Sequence, residues 1–130
     1  GLGDYDATAV ALRGSNDELV LITNSRHASY GFDQRVEAFG SEGMLRAENI
    51  TDTNVQHYTA NLVEAKPPYQ NFFLERYMDS YRNELEEFIK RIRGEASNTP
   101  TFEDGRMALV LANAATESAQ TGTTISVSAR

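Results

Sequence analysis

The sequence predicts an α+β fold: an open, predominantly antiparallel sheet with helices packed on one face. Three observations carry the prediction. The first sixty residues break into short apolar or alternating runs separated by Gly, Ser, Asn and Asp. The second half holds one long amphipathic segment and one small-residue apolar segment, both of helical character. The strand-like runs precede the helical ones instead of alternating with them, which separates α+β from parallel α/β chains.

The elements follow in order. Tyr5 to Arg13 is rich in Ala, Val and Leu and breaks at Gly14-Ser15-Asn16-Asp17; Leu19 to Arg26 follows, and the pair reads as a β-hairpin. Arg35-Val36-Glu37-Ala38-Phe39 alternates polar and apolar residues, as a strand with one wet face does. Gly40-Ser41-Glu42-Gly43 is a second turn and Met44 to Glu48 the returning strand. Val55 to Val63 is a fifth candidate. Lys66-Pro67-Pro68 ends the sheet region, because proline cannot donate to a ladder.

A helix is expected from Phe72 to Arg93, with Leu74, Tyr77, Met78, Tyr81, Leu85, Phe88, Ile89 and Ile92 on one stripe, and with its aromatics in a core. Gly94 is its stop. Thr101-Phe102-Glu103-Asp104 reads as a capped helix start, and the second helix runs to about Gln120, ahead of Gly122. Thr124 to Val127 is expected to be a last short strand.

Composition narrows the function classes. The net charge of -7 repels phosphate backbones and argues against nucleic-acid binding. No stretch approaches the roughly 20 apolar residues of a membrane span. The absence of cysteine excludes disulfides, thiolate catalysis and cysteine zinc sites, and fits a cytoplasmic protein. His27 and His57 are too far apart for a helical metal-ligand pair, so no metal site is expected. The opening Gly1-Leu2-Gly3-Asp4 is neither basic nor followed by an apolar run, so it is not read as a signal peptide. It also lacks an initiator Met, which favours a segment of a longer chain over a processed terminus.

The chain has no GxGxxG, P-loop, HExxH or GxSxG pattern. Its adjacent acidic pairs point to different directions on strands or helices and read as solvated faces. The densest polar and aromatic run is Asn24-Ser25-Arg26-His27-Ala28-Ser29-Tyr30-Gly31-Phe32-Asp33-Gln34, a connection between strands at the rim of the sheet. It offers donors, an acceptor and two ring faces, groups of the kind that recognise polyols. A wide polar connection is the other reading of the same run.

From Asn24 to Met44 the sequence closely resembles the C-terminal domain of inositol 2-dehydrogenases, within the Gfo/Idh/MocA family of NAD(P)-dependent sugar and polyol oxidoreductases. Three further segments resemble the family in order: Gly3-Asp4-Tyr5-Asp6-Ala7-Thr8-Ala9-Val10, like its GD-x-DTA-V segment; Phe72 to Tyr81, like its FLERY-x-x-(A/S)Y helix; and Thr101 to Leu109, like its DGR-x-A-L helix. The resemblance implies that residues 1–130 are the substrate and oligomerisation domain of a larger enzyme. The partner half would be a Rossmann domain holding NAD or NADP, and one sheet face would form a homo-oligomer contact. The family's catalytic lysine lies in an EKP motif of the Rossmann half, and its Asp and His partners precede the start of this chain. No catalytic or cofactor-binding residue is therefore expected here, and the isolated chain is expected to be silent.

Glu64-Ala65-Lys66-Pro67 is not that tripeptide and reads as a loop lysine before a proline turn. The resemblance implies that Tyr30, then Arg26 and Asn24, contact a polyol or sugar, with myo-inositol the candidate. The family often has YGYD where this chain has Tyr30-Gly31-Phe32-Asp33, so Phe32 lacks the second hydroxyl. The competing reading is a non-enzymatic module that dimerises through its sheet or binds a small ligand.

Overall fold

A computed structural model describes residues 3–128; Gly1 and Leu2, at the head of the segment read as no signal peptide, lie outside the described residues. The chain order is β1 (Ala7–Arg13), β2 (Leu19–Ser25), β3 (Val36–Gly40), β4 (Gly43–Ala47), α1 (Phe73–Ile92) and α2 (Phe102–Thr121). The fold is α+β, and four strands and both helices lie within two residues of their predicted limits.

The strands form two two-stranded sheets, β1–β2 and β3–β4, where the sequence predicts one open sheet. The difference arises between β4 and α1. In that segment Thr51 pairs with Tyr69 and His57 with Ala65 as isolated bridges only. The Val55–Val63 candidate fails as a strand because it doubles back. Thr59 N–H donates to the Leu62 carbonyl, and Thr59 Oγ1 accepts the Asn61 and Leu62 amides, so the hydroxyl completes a turn in place of a ladder. Thr124 to Val127 is not a strand either.

The chain divides into two compact units. Among the described residues, the first comprises 3–8 and 24–82. Its hairpin β3–β4 is antiparallel, with Val36 opposite Ala47, Glu37 opposite Arg46, Ala38 opposite Leu45, Phe39 opposite Met44, and Gly40 opposite Gly43 across the Ser41-Glu42 turn. Glu37 opposite Arg46 is a favourable cross-strand charge pairing.

A second organising feature is a crossing of three extended segments. Tyr69 N–H donates to the Tyr30 carbonyl (3.0 Å), Phe32 N–H to Gln70 (2.7 Å), and Gln70 N–H to Ile50 (2.9 Å). Residues 69 and 70 thus run between the Tyr30 turn and the end of β4, each side satisfying backbone groups of the other. Pro67 and Pro68 favour this, because each holds its own φ near an extended value and biases the residue before it away from helix.

Gly31 is what lets the strands approach. Its φ is +117°, and a Cβ there would lie 2.4 Å from the Tyr69 carbonyl oxygen and 2.9 Å from its carbon. Both the dihedral and the contact exclude a side chain.

The second unit comprises, among the described residues, 9–23 and 83–128. The β1–β2 loop closes through Gly14 N–H to the Glu18 carbonyl (2.8 Å) and Asp17 N–H to the Gly14 carbonyl (3.2 Å), with Asp17 at φ 67°. β1 alternates half-buried Thr8, Val10 and Leu12 with exposed neighbours, as the period of a strand requires. α2 starts with a complete capping box: Asp104 N–H donates to Thr101 Oγ1, and Asp104 Oδ2 accepts from the Thr101 amide. It stops at Gly122, which takes the left-handed conformation. The linker between the helices is held by Arg91 donating to the Thr99 carbonyl (2.9 Å) and by Asn98 N–H donating to Glu87 (3.1 Å).

The aromatics and aliphatics of α1 were expected in a core. Phe88 is 56% exposed, and no described residue is fully buried. Phe39 is 85% exposed and Leu45 78%. A helix stripe of this apolarity is stable in water only against a partner surface, so its exposure is a property of the chain taken alone.

Gly31→Ala is expected to cost roughly 3 kcal/mol or more, from a forbidden φ plus a clash with backbone. Urea unfolding measures it. A cost under about 0.5 kcal/mol would show that the crossing is not held as described.

Candidate functional site around Tyr30 and Asp33

Nine half-buried residues lie at or near the crossing: Gly31, Phe32, Asp33, Asn49, Thr51, Ala65, Pro67, Tyr69 and Gln70. Beside them lies an open cavity of about 340 Å³ lined by Tyr30, Asp33, Arg35, Lys66, Pro67, Pro68 and Tyr69. That volume falls in the range of small-molecule sites.

Asp33 is the centre of the cavity wall, its side chain 17% exposed. Four donors converge on its carboxylate. Tyr30 Oη donates to Oδ2 at 2.6 Å, and Arg35 donates through Nε to Oδ1 (2.8 Å) and Nη2 to Oδ2 (3.0 Å), a bidentate fork. Asn49 Nδ2 donates to Oδ1 at 2.7 Å. The orientation of the Asn49 amide follows from its other contact, because Gln34 N–H donates to Asn49 Oδ1 at 2.7 Å.

The electrostatics follow from this geometry. The hydroxyl of Tyr30, then Asn49 and Arg35, hold the Asp33 carboxyl down at about 2, against the cost of its partial burial. The same carboxylate pushes the Tyr30 phenol above its ordinary value and raises the Arg35 guanidinium. Arg35 therefore neutralises Asp33, and the exposed Lys66 is the other cationic residue of the lining.

Of the residues singled out by sequence, Tyr30 lines the cavity; Arg26 and Asn24 are placed elsewhere on the same unit. Arg26 pairs with Asp4 through Nη2, lies 3.8 Å from Asp6, and donates from Nε to the Tyr5 carbonyl at 3.3 Å. Asn24 Nδ2 donates to Thr8 Oγ1 at 3.2 Å. These two side chains tie the end of β2 to the residues that lead into β1. The cavity residues that sequence reasoning passed over are Asp33, Arg35, Lys66, Pro67, Pro68 and Tyr69. Asp33 and Arg35 lay inside or beside the polar run, within three and five positions of Tyr30. The other four come from more than thirty residues away, and only the extended bias of Pro67-Pro68 hinted at a crossing segment.

The site has no cradle for a dinucleotide. Among the described residues, Gly14, Gly40 and Gly43 serve hairpin turns, Gly94 and Gly122 follow helix ends, Gly105 lies within α2, and Gly31 packs on Tyr69. A pyrophosphate needs consecutive backbone N–H groups free at a helix start. The residues present do not fit one, and no step through a nicotinamide is derived from them.

Because the folded-state pKa of Asp33 is depressed, its contribution is full above the ordinary carboxylate value and is lost as pH falls from about 4 to about 2. The shift is worth up to about 2 kcal/mol, less where water screens the exposed Arg35. Asp33→Asn is expected to lose less stability than the unsubstituted protein across that pH interval, as measured by urea titration at each pH. Identical losses would mean that the network does not favour the ionised carboxylate.

The profile of the oxidoreductase family, C-terminal alpha/beta domain, matches residues 2–127. The inositol 2-dehydrogenase of Rhizobium meliloti is 41% identical over 116 residues, 89% of this chain and 35% of the relative. The myo-inositol 2-dehydrogenase of Thermotoga maritima is 45% identical over 116 residues, 89% of this chain and 34% of the relative. The crystal structure of a myo-inositol dehydrogenase from Corynebacterium glutamicum superposes with a TM-score of 0.90 at 54% identity, covering 98% of this chain and 38% of that one. The chain thus spans about a third of the length of the relatives it matches. It belongs to the Gfo/Idh/MocA oxidoreductase family, matching that family's C-terminal α/β domain.

Proposed function

We propose that the protein carrying this chain oxidises a cyclic polyol or sugar with NAD or NADP, myo-inositol being the substrate to test first. Residues 1–130 are then its substrate and oligomerisation domain, and the cofactor and catalytic residues are held by a Rossmann domain outside this chain. The observation that supports this reading most directly is the cavity at Tyr30. A phenol, a carboxylate and a guanidinium meet at one wall, on the segment that most resembles the inositol dehydrogenases. Polyols present hydroxyls that both donate and accept, and a wall mixing donors and acceptors matches them. The relatives bearing the names of inositol dehydrogenases point the same way.

In this reading Tyr30 touches the substrate. Asn24 and Arg26, the other two contacts proposed from the sequence, belong to an outer polar rim, where their side chains bond Thr8 and Asp4. The net charge of -7 and the lack of cysteine favour a cytoplasmic location, with neither nucleic acid nor membrane as partner.

In the full-length protein, Tyr30→Phe is expected to lower kcat/KM for myo-inositol roughly tenfold, the worth of one hydrogen bond to a substrate hydroxyl. Arg26→Ala is expected to have a smaller effect. If steady-state kinetics leave kcat/KM unchanged in both variants, the assignment fails.

A second reading is favoured by the exposed strands: Leu19 is 84% exposed and Phe39 85%. Such faces suit a homo-oligomer contact, with or without catalysis. Light scattering on the full-length protein is expected to show an oligomer that Phe39→Glu weakens. A monomer at high concentration removes this role.

A further inference from the structure

We infer that Asp33 is a positioning residue that fixes the hydrogen-bond polarity of Tyr30, so that Tyr30 accepts a hydrogen bond from the ligand and cannot donate one to it. The inference rests on the proposal that Tyr30 contacts the substrate and goes further by assigning which partner holds the proton.

The argument is one of donor counting. Arg35 donates twice to Asp33 and has no acceptor; Asn49 donates once, with its oxygen already taken by the Gln34 amide. A carboxylate held by three charged or amide donors is ionised and can only accept. The 2.6 Å contact with Tyr30 therefore has the phenol proton on Tyr30, directed at Asp33 Oδ2. A tyrosine has one proton. Its remaining capacity toward the cavity is two lone pairs.

The ring is held too, edge-on to Tyr69 with centroids 5.8 Å apart, and its carbonyl is tied by Tyr69 N–H. Turning the hydroxyl toward a ligand acceptor would give up the 2.6 Å bond and leave Asp33 Oδ2 with the longer Arg35 Nη2 contact (3.0 Å) as its donor, which disfavours that rotamer. The wall thus selects for a hydroxyl or another donor at this point. It discriminates against a carbonyl, an ether oxygen or a fluorine in the same place.

The test uses the full-length protein, with myo-inositol and a panel of its monodeoxy-monofluoro analogues as probes. Tyr30→Phe and Asp33→Asn are each expected to lower kcat/KM roughly tenfold, and the double variant to be no worse than Tyr30→Phe alone, within about twofold. For the unsubstituted protein, one position of the ring is expected to lose roughly tenfold when its hydroxyl becomes fluorine, and that loss should vanish in Tyr30→Phe. The fluorine series needs no change at Asp33, so it stands even if Asp33→Asn does not fold.

Multiplying losses in the double variant would make Asp33 merely structural and overturn the inference. So would a fluorinated panel in which every loss persists in Tyr30→Phe. If the unsubstituted protein oxidises myo-inositol and Tyr30→Phe leaves kcat/KM unchanged, the polarity assignment falls while the proposed activity stands. If no polyol is oxidised at all, the proposed activity itself falls.

Discussion

The Asp33 carboxylate joins pieces of chain that would otherwise be independent. Tyr30 and Arg35 flank it on the connection between β2 and β3, and Asn49 brings in the residues after β4. With four donors on two oxygens, the group is close to saturated. Removing it would release a phenol, an amide and a guanidinium fork together, and because the groups share one partner such losses do not add simply. The cavity exists on this side of the unit because its wall is braced from within, by polar contacts in place of a deep apolar core.

That bracing needs the backbone crossing beneath it. Residues 65 to 70 pass between the Tyr30 turn and Ile50, and they bring Lys66 and Tyr69 to the cavity. The approach is closer than any Cβ permits at Gly31, so the polarity of the wall and the shape of the floor depend on a single glycine. Chemistry at Asp33 and sterics at Gly31 sit two residues apart in the same short turn. This explains why a segment of plain loop composition can hold a defined geometry: its conformation is set by long-range backbone bonds, not by its own propensity.

The elements were legible in the sequence where a local rule governs them. Thr101 and Asp104 announce the start of α2, Gly122 its stop, and alternation announces β3. The segment from 48 to 72 was not legible, because its structure is made by pairs such as Tyr69 with Tyr30 and His57 with Ala65, which no periodicity encodes. The same limit applies to the site. Tyr30 could be chosen from the density of polar and aromatic residues around it, but Lys66 looked like an ordinary lysine before a proline turn. It is in a loop as expected, and only the crossing brings it to the cavity. Helix aromatics such as Phe88 were assigned to a core by their stripe. The stripe is real, yet periodicity says which residues share a face and nothing about what covers it.

The substitution at Phe32 can be read on the same geometric footing. Residues two apart on a regular strand point to one side, so a tyrosine and a phenylalanine at 30 and 32 would be expected to share a surface. Gly31, at φ +117°, interrupts that alternation. Tyr30 faces the cavity and stacks edge-on with Tyr69, whereas the Phe32 ring meets Tyr77 of α1 edge-on, with centroids 5.6 Å apart. A hydroxyl on Phe32 would extend from a ring packed against the helix, and Phe32 does not line the cavity at Tyr30. Its loss therefore removes no donor or acceptor from the wall described here. The polarity of that wall is carried by Tyr30 under the control of Asp33, and the ring at 32 serves to seat the turn on the start of α1.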